Sequence, residues 1–246
     1  LLLRVRTRFG VALHPEHGHD AATLLRRADL ALAAAREGEA DSVVYRAGED
    51  ERQRRRHVIG QSLRSAAAAG QLHLEYQPKL ELPSRRVIQA EALLRWRHPE
   101  LGLVPPDEFI PIAESSGQIH ALSRFVLGQV LLQMQDWRSR GLEAGVAVNL
   151  SALDLSALDL PAVVDGLLRR HDVAAGRLTL EITESAVMRD PVASEAVLRA
   201  LRALGVRVAL DDFGVGHSTF SRLRRLPVDE LKLDRSFVST LGAEGI

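Results

Sequence analysis

Several short apolar segments of this chain alternate with a two-residue period, and each carries a polar side chain among aliphatic neighbours. Successive side chains of a β-strand point to opposite faces, so such a segment has one apolar face and one partly polar face. In residues 178–183, Leu178, Leu180 and Ile182 share one face, whereas Glu181 lies on the other. A strand of this kind is expected to be covered by helices on its apolar side only.

Other segments of the same type place further polar side chains opposite an aliphatic face: Glu91, Asn149, Asp211 and Lys232. In a barrel of strands wrapped by helices, each strand has an apolar outer face and an inner face that can be polar near the catalytic rim. We therefore expect these side chains to meet in one place, which is the candidate active site.

Strand and helix patterns alternate from residue 57 onward, which is typical of a parallel sheet, and polar strand ends favour a barrel. The predicted helices are Pro106–Glu114, Ile119–Arg140, Leu160–His171, Pro191–Leu204, Ser218–Arg225 and Arg235–Leu241. The turn at residues 83–85 is short enough to require antiparallel pairing of the predicted strands Leu72–Pro78 and Arg86–Trp96. The predicted fold is α/β, a TIM-like (β/α) barrel with an antiparallel first strand.

The first residues form a separate and smaller pattern. A strand is predicted over Arg4–Leu13, a helix over Asp20–Arg36 and a returning strand over Asp41–Tyr45. The polar run Ala47–Arg56 then predicts a linker or a connecting helix. We expect a domain boundary between residues 48 and 49.

The composition excludes several classes of function. The chain has no cysteine, so a disulfide framework and a thiolate metal site are excluded, and a reducing cytoplasm is the expected location. Lys+Arg 32 balances Asp+Glu 32, so no basic footprint for a nucleic-acid polymer exists. The sequence contains neither an apolar stretch of transmembrane length nor a signal peptide, so no membrane contact is expected from this stretch. A membrane anchor elsewhere in a longer protein is compatible with it.

Lysine is scarce in this chain. Lys79 and Lys232 are the two lysines among 32 basic residues, and all the others are arginine. An ammonium is compact, whereas a guanidinium is planar and bulky, so the two are not interchangeable. A lysine inside the apolar segment 231–233 therefore indicates a site that needs a compact cation.

Three carboxylates and an amide that converge from different strands form an all-oxygen site, which suits a hard divalent cation such as Mg2+ or Mn2+. Asp212 follows Asp211 directly, so the two point to opposite sides of a regular strand. Asp212 could serve a second metal only if the chain bends after Leu210. The following Phe213-Gly214 makes such a bend feasible.

The ordered segments resemble EAL domains, bacterial phosphodiesterases that linearise the second messenger cyclic di-GMP. The resemblance covers about residues 57 to 241. The matching motifs are Tyr76-Gln77-Pro78, Glu91-Ala92-Leu93-Leu94-Arg95-Trp96, Phe109-Ile110-Pro111, Asn149-Leu150-Ser151, Glu181-Ile182-Thr183-Glu184, Asp211-Asp212-Phe213-Gly214 and Lys232-Leu233-Asp234. Each motif alone is weak, but the ordered set is specific.

The resemblance implies a role for each matching residue. The first metal's ligands would be Glu91, Asn149, Glu181 and Asp211, and Asp212 would bind the second metal. Lys232 would hold a metal-bound water, Glu184 would brace the loop after Asp212, and Gln77 and Arg95 would contact the substrate, Arg95 near a phosphate. The implied reaction is in-line attack of a metal-activated hydroxide on phosphorus, which gives the linear dinucleotide pGpG. EAL domains as a family also often form homodimers.

The first 46 residues resemble the tail of a GGDEF domain, the cyclase that makes the same messenger. Phe9-Gly10-Val11-Ala12 and Ala28-Asp29-Leu30-Ala31-Leu32 carry this likeness, whereas Ala33 and Arg36 stand where the family commonly has Tyr and Lys. The cyclase's Gly-Gly-Asp-Glu-Phe loop is absent. We therefore expect residues 1–48 to be a partial GGDEF-like remnant and residues 49–246 an incomplete EAL domain, C-terminally truncated after its sixth barrel unit.

Simpler interpretations exist for individual residues. Asp211 and Asp212, or Asn149 with Ser151, could cap the following helix, and Lys232 could form an ion pair with Glu181 or Asp234. Trp96 and Trp137 are expected in the core.

The alternative function is a noncatalytic cyclic di-GMP receptor or regulatory module. Val215 and His217 favour it, because they stand where the family usually has Thr and Tyr.

Overall fold

The computed structural model describes residues 7–38, 40–214, 226–234 and 236–237. The chain divides into two compact units, residues 1–62 and 63–246. The predicted helix Ser218–Arg225 lies outside the described residues, as do Val215, His217 and most of the predicted helix Arg235–Leu241.

The first unit contains a strand, a helix and a second strand, in the predicted order: β1 (Phe9–Val11), α1 (Ala21–Glu37) and β2 (Ser42–Val44). The two strands pair in parallel. The helix lies so close to β1 that a Cβ atom at Gly10 would be 2.1 Å from the carbonyl oxygen of Ala28. Glycine is therefore required at that position for the helix to pack on the strand.

The polar run Ala47–Arg56 lies, from Glu49 onward, in a connecting helix, α2 (Glu49–Ala66). Asp50 in its first turn accepts hydrogen bonds from the Tyr45 hydroxyl at 2.7 Å and from Arg27 Nε at 3.1 Å. These contacts join the start of α2 to β2 and α1.

The described part of the second unit is built on one seven-stranded sheet. Its strands are β3 (Leu72–Leu80), β4 (Val87–His98), β5 (Gly102–Val104), β6 (Gly145–Asn149), β7 (Leu178–Thr183), β8 (Arg207–Phe213) and β9 (Glu230–Leu233). Its helices are α3 (Pro106–Ser115), α4 (Ile119–Ser139), α5 (Leu160–His171), α6 (Glu184–Arg189) and α7 (Pro191–Ala203). The sheet order is β3-β4-β6-β7-β8-β9, and β5 pairs with β4.

The pairing directions agree with the strand pattern. β3 and β4 are antiparallel, as the short turn at residues 83–85 requires, and β4, β6, β7, β8 and β9 follow in parallel. Leu178, Leu180 and Ile182 are 0%, 0% and 1% exposed and pack in the core with apolar residues of the helices α4, α5 and α7. The predicted apolar outer face of β7 is therefore confirmed.

Three features differ from the prediction or go beyond it. Within the described residues the end strands β3 and β9 have one sheet neighbour each, so no closed barrel is seen there. Leu231 and Leu233, predicted to face helices, are 46% and 60% exposed. The short elements β5 and α6 were not predicted, because three strand residues or six helical residues are too few to establish a period.

No helix among the described residues has the length and apolar character needed to span a membrane.

Candidate active site

Glu181 lies on the inner face of β7, and its side chain is completely buried. Both of its carboxylate oxygens have a cationic partner. Lys232 Nζ donates to Oε2 at 2.7 Å, and Lys79 Nζ donates to Oε1. A buried carboxylate is stable only when it is paired. The two ammonium groups therefore stabilise the buried side chain of Glu181.

Lys232 joins three strands through one ammonium group. Its Nζ is 2.7 Å from Asp211 Oδ2, 2.7 Å from Glu181 Oε2 and 3.2 Å from Glu91 Oε2. Burial disfavours the charged ammonium, but its hydrogen bonds to Asp211 and Glu181 outweigh burial and raise the pKa of Lys232 above its ordinary value. The group is therefore a fixed positive charge, and the ion pair with Glu181, which was the simpler alternative for Lys232, is present.

Asn149 ends β6 beside the same cluster. Its Nδ2 donates to Glu91 Oε1 at 2.9 Å, so its side chain contacts an acid of the neighbouring strand β4. The local capping contact is made by Ser151 instead, whose Oγ accepts a hydrogen bond from the backbone N–H of Leu153 at 3.2 Å. The two residues of the Asn-Leu-Ser motif therefore have different partners.

The described residues contain a group that could hold a metal ion, formed by Glu91, Glu181 and Asp211. One ligand oxygen from each carboxylate lies within 4.8 Å of the others. Oxygens bound to one Mg2+ ion, each about 2.1 Å from it, lie roughly 3–4 Å apart, which is comparable to the spacing in this group. The donor set fits a hard divalent cation, and Asn149 can add its amide oxygen from the edge of the cluster.

Asp212 is not part of the group of Glu91, Glu181 and Asp211 that could hold a metal ion among the described residues. The β8 register shifts between Leu210 and Phe213, and Asp212 has a φ of 53°, so the chain bends where the sequence allowed it. Partial burial, and the negative charges of Asp211 and Asp234, raise the pKa of the Asp212 carboxyl against the opposing effect of Lys232.

Gly214 lies just beyond this bend, and its φ of +104° favours glycine. A Cβ atom there would also come within 2.5 Å of the Phe237 ring.

The remaining predicted residues surround the cluster. Gln77 is the register partner of Glu91 and so lies on the same face of the sheet. Arg95 donates from Nε to Glu75 at 2.7 Å and from Nη1 to the carbonyl of Leu94 at 3.2 Å. Glu184 is buried at the start of α6. The loop that Glu184 is predicted to brace continues into residues outside the described part.

A cleft of about 760 Å³ opens beside the acidic cluster. Its size is typical of a small-molecule site. Apolar side chains line much of it, and polar groups lie among them, including Arg95, Asp107, Asn149 and Arg189. Asn149 lines this cleft and also contacts Glu91, so the cleft adjoins the acidic cluster at Asn149, although the three carboxylates are not among its lining residues.

Lys79 is a member of the site that the motifs did not indicate. It lies two residues after Gln77 on β3, which places both side chains on one face. The scarcity of lysine distinguishes Lys79 in the sequence, as it does Lys232.

The tryptophan prediction is correct for Trp96, which is fully buried and donates to Gln71 at 3.0 Å. Trp137 packs against Tyr76 with ring centroids 4.9 Å apart, and burial raises the pKa of Tyr76 to about 12.

Comparison with known proteins gives close relatives. The chain is 38% identical over 241 residues to the bifunctional diguanylate cyclase/cyclic di-GMP phosphodiesterase MucR of Pseudomonas aeruginosa. The alignment covers 97% of this chain and 35% of MucR. It is 37% identical over 230 residues to the cyclic di-GMP phosphodiesterase PdeR of Escherichia coli, with 93% of this chain and 35% of PdeR covered. The chain thus spans about a third of the length of these curated relatives.

Solved structures agree with this result. The PaMucR phosphodiesterase in complex with c-di-GMP matches with a TM-score of 0.71 and 42% identity, covering 76% of each chain. The cGMP-bound form of the EAL enzyme Bd1971 matches with a TM-score of 0.71 and 27% identity, covering 92% of this chain and 60% of that chain. The fold is that of EAL domain structures, which are TIM-like barrels. The EAL domain model matches residues 60–245, and the chain belongs to the EAL domain family.

Proposed function

We propose that this chain is a metal-dependent phosphodiesterase that hydrolyses cyclic di-GMP to the linear dinucleotide pGpG. The observation that carries the proposal is the convergence of Glu91, Glu181 and Asp211, whose ligand oxygens lie within 4.8 Å of one another. Relatives named as cyclic di-GMP phosphodiesterases, and a c-di-GMP complex of a similar structure, support the choice of substrate.

Glu91, Asn149, Glu181 and Asp211 would hold a first Mg2+ or Mn2+ ion, and Asp212 would serve a second. Such ions supply Lewis acidity and a nucleophile at neutral pH. Lys232 remains protonated, so its ammonium can orient the attacking water and offset the negative charge that develops on phosphorus oxygens. Glu184 would support the loop that carries Asp212.

Substrate would bind in the cleft beside the carboxylates. Arg95 supplies a cation there for a phosphate, and charged donors form the stronger hydrogen bonds to phosphate. Gln77, on the same face as Glu91, would contact the dinucleotide next to the scissile bond. The apolar part of the cleft would bury the faces of a base.

The test is to incubate the purified protein with cyclic di-GMP and Mg2+ or Mn2+, and to follow pGpG by chromatography. Product that forms only with metal and disappears with chelator would support the proposal. Tight binding of cyclic di-GMP without product in either metal would overturn it in favour of the receptor.

One observation favours that alternative, a noncatalytic cyclic di-GMP receptor. Asp212 lies outside the group formed by Glu91, Glu181 and Asp211, so the ligand set for a second metal is less complete than that for the first. A receptor would need the cleft but not this second ion. Turnover separates the two functions, whereas binding alone does not.

Replacement of Arg95 by alanine is expected to raise the KM for cyclic di-GMP about 10- to 100-fold, because a charged hydrogen bond to phosphate contributes roughly 1.5–3 kcal/mol. Steady-state kinetics will measure the change. Arg97→Ala is the matched control, because Arg97 is an exposed arginine of the same strand and does not line the cleft. Equal KM values for the two variants would contradict the assignment of Arg95.

For the remainder of the chain, we infer that residues 1–48 are a GGDEF-like remnant and that residues 49–246 form the EAL domain. The parallel strand, helix and strand order of the first unit is compatible with this inference. The alignment with the bifunctional MucR extends over 97% of the chain and also supports it.

A further inference from the structure

The two lysines of this chain both donate to the carboxylate of Glu181. Lys232 contacts Glu181 Oε2 from β9, and Lys79 contacts Glu181 Oε1 from β3. Their side chains are 25% and 26% exposed, and that of Glu181 is 0% exposed. The chain otherwise uses arginine for its basic residues. A pairing of both lysines with one buried acid is therefore a specific feature of the site.

Lys79 reaches Glu181 across two intervening strands, since the sheet order is β3-β4-β6-β7. One small residue helps to open this path. The β6 residue opposite Glu91 in the register is Ala147, whereas the space over Gly145 holds the side chain of Gln89, which donates to Thr179 at 2.8 Å. The short side chain of Ala147 leaves room on the inner face for the long side chain of Lys79.

The charges of the site are nearly balanced without a metal ion. Glu91, Glu181 and Asp211 contribute three negative charges, and the two lysines contribute two positive charges. Without the charge of Lys79, the cluster would carry two uncompensated negative charges instead of one. The positive charge of Lys79 also repels a divalent cation that approaches Glu181.

We propose that Lys79 is the internal counter-charge of Glu181, which holds this carboxylate in place in the metal-free protein and competes with the divalent cation for it. The inference rests on the proposed role of Glu181 as a metal ligand. Lys79 acts through Glu181 and is therefore a positioning residue. It sets the metal affinity of the site without touching the substrate.

The test is Lys79→Met, which keeps the length of the side chain and removes its charge. Mn2+ affinity will be measured by calorimetry, and melting temperature will be measured in chelator and in Mn2+. The variant is expected to melt several degrees lower in chelator and to bind Mn2+ about 10-fold more tightly, because one repulsive charge is removed. A purely structural role would lower stability without strengthening metal binding.

Two further variants complete the design. Arg207→Met is the matched control, because Arg207 lies on the inner face of β8 and pairs with Glu230 at 2.8 Å, outside the metal-binding group. It should leave Mn2+ affinity unchanged. Lys79→Arg keeps the charge and should retain the wild-type affinity, and it can be assayed even if Lys79→Met does not fold.

Mn2+ affinity that is unchanged or weaker in Lys79→Met would overturn the role of Lys79 and leave the proposed function intact. Weak binding by Lys79→Met together with equally weak binding by Arg207→Met would also overturn it. No Mn2+ binding by the wild-type protein would overturn the metal site, and the role of Lys79 with it.

Discussion

Glu91→Ala is expected to lower the rate of cyclic di-GMP hydrolysis by about 10³-fold or more, since a metal ion supplies several kcal/mol of stabilisation in the transition state. Glu91 is one of the three acids that could hold a metal ion, and it also accepts the hydrogen bond of Asn149. Removing it takes away a ligand and frees the amide beside it. The rate of pGpG formation at saturating Mn2+ will measure the effect.

The loss should not result from unfolding. Without Glu91 the cluster keeps two carboxylates and two ammonium groups, so its charges balance. Circular dichroism should therefore show a folded protein. Glu195→Ala is the control, because Glu195 forms an exposed i,i+4 pair with Arg199 on α7 and should keep full activity. Turnover by Glu91→Ala at the wild-type rate would rule out the metal assignment.

Lys232→Met is expected to lower turnover by at least about 10²-fold, which is typical of losing one donor that stabilises transition-state charge. It should also destabilise the metal-free protein by roughly 2–3 kcal/mol, because three carboxylates then share one ammonium group. Mn2+ should restore much of this stability, since the ion supplies the missing positive charge. Chemical denaturation with and without Mn2+ will measure both effects.

Lys232→Arg tests the need for a compact cation. Three carboxylate oxygens lie within 2.7–3.2 Å of one nitrogen, and a planar guanidinium cannot present one nitrogen to all of them. The arginine variant should therefore remain at least about 10-fold less active than wild type. Full activity of Lys232→Arg would mean that charge alone is required there.

The sequence predicted those parts of the fold that a local pattern determines. The faces of β7 follow from alternation within six residues, and α5 has the predicted bounds, Leu160–His171, because its apolar residues recur with a helical period. The convergence of Glu91, Glu181 and Asp211 followed from the same alternation once the strands were assumed to be neighbours. The strand faces and the convergence of the acids both follow from the direction in which each side chain points, and the position of a residue in its strand determines that direction.

Contacts between distant segments could not be predicted in this way. Lys79 and Glu181 are 102 residues apart in the sequence, and their contact depends on the register of four strands. The bend at Asp212 was feasible from the sequence, but whether the side chain would join the acidic group depended on the surrounding strands. The roles of Gln77, Arg95 and Glu184 stay predictions, because they concern a substrate and a loop rather than a contact within the described residues.

The distribution of amines in this chain has a practical consequence. Lys79 and Lys232 carry its two ε-amino groups, and both point into the acidic cluster at about a quarter exposure. Apart from an N-terminal amine, a reductive-methylating reagent therefore modifies this chain only at the two lysines of the acidic cluster. Isotope-labelled methyl groups placed there would report binding at that cluster by NMR, with no background from other lysines of this chain.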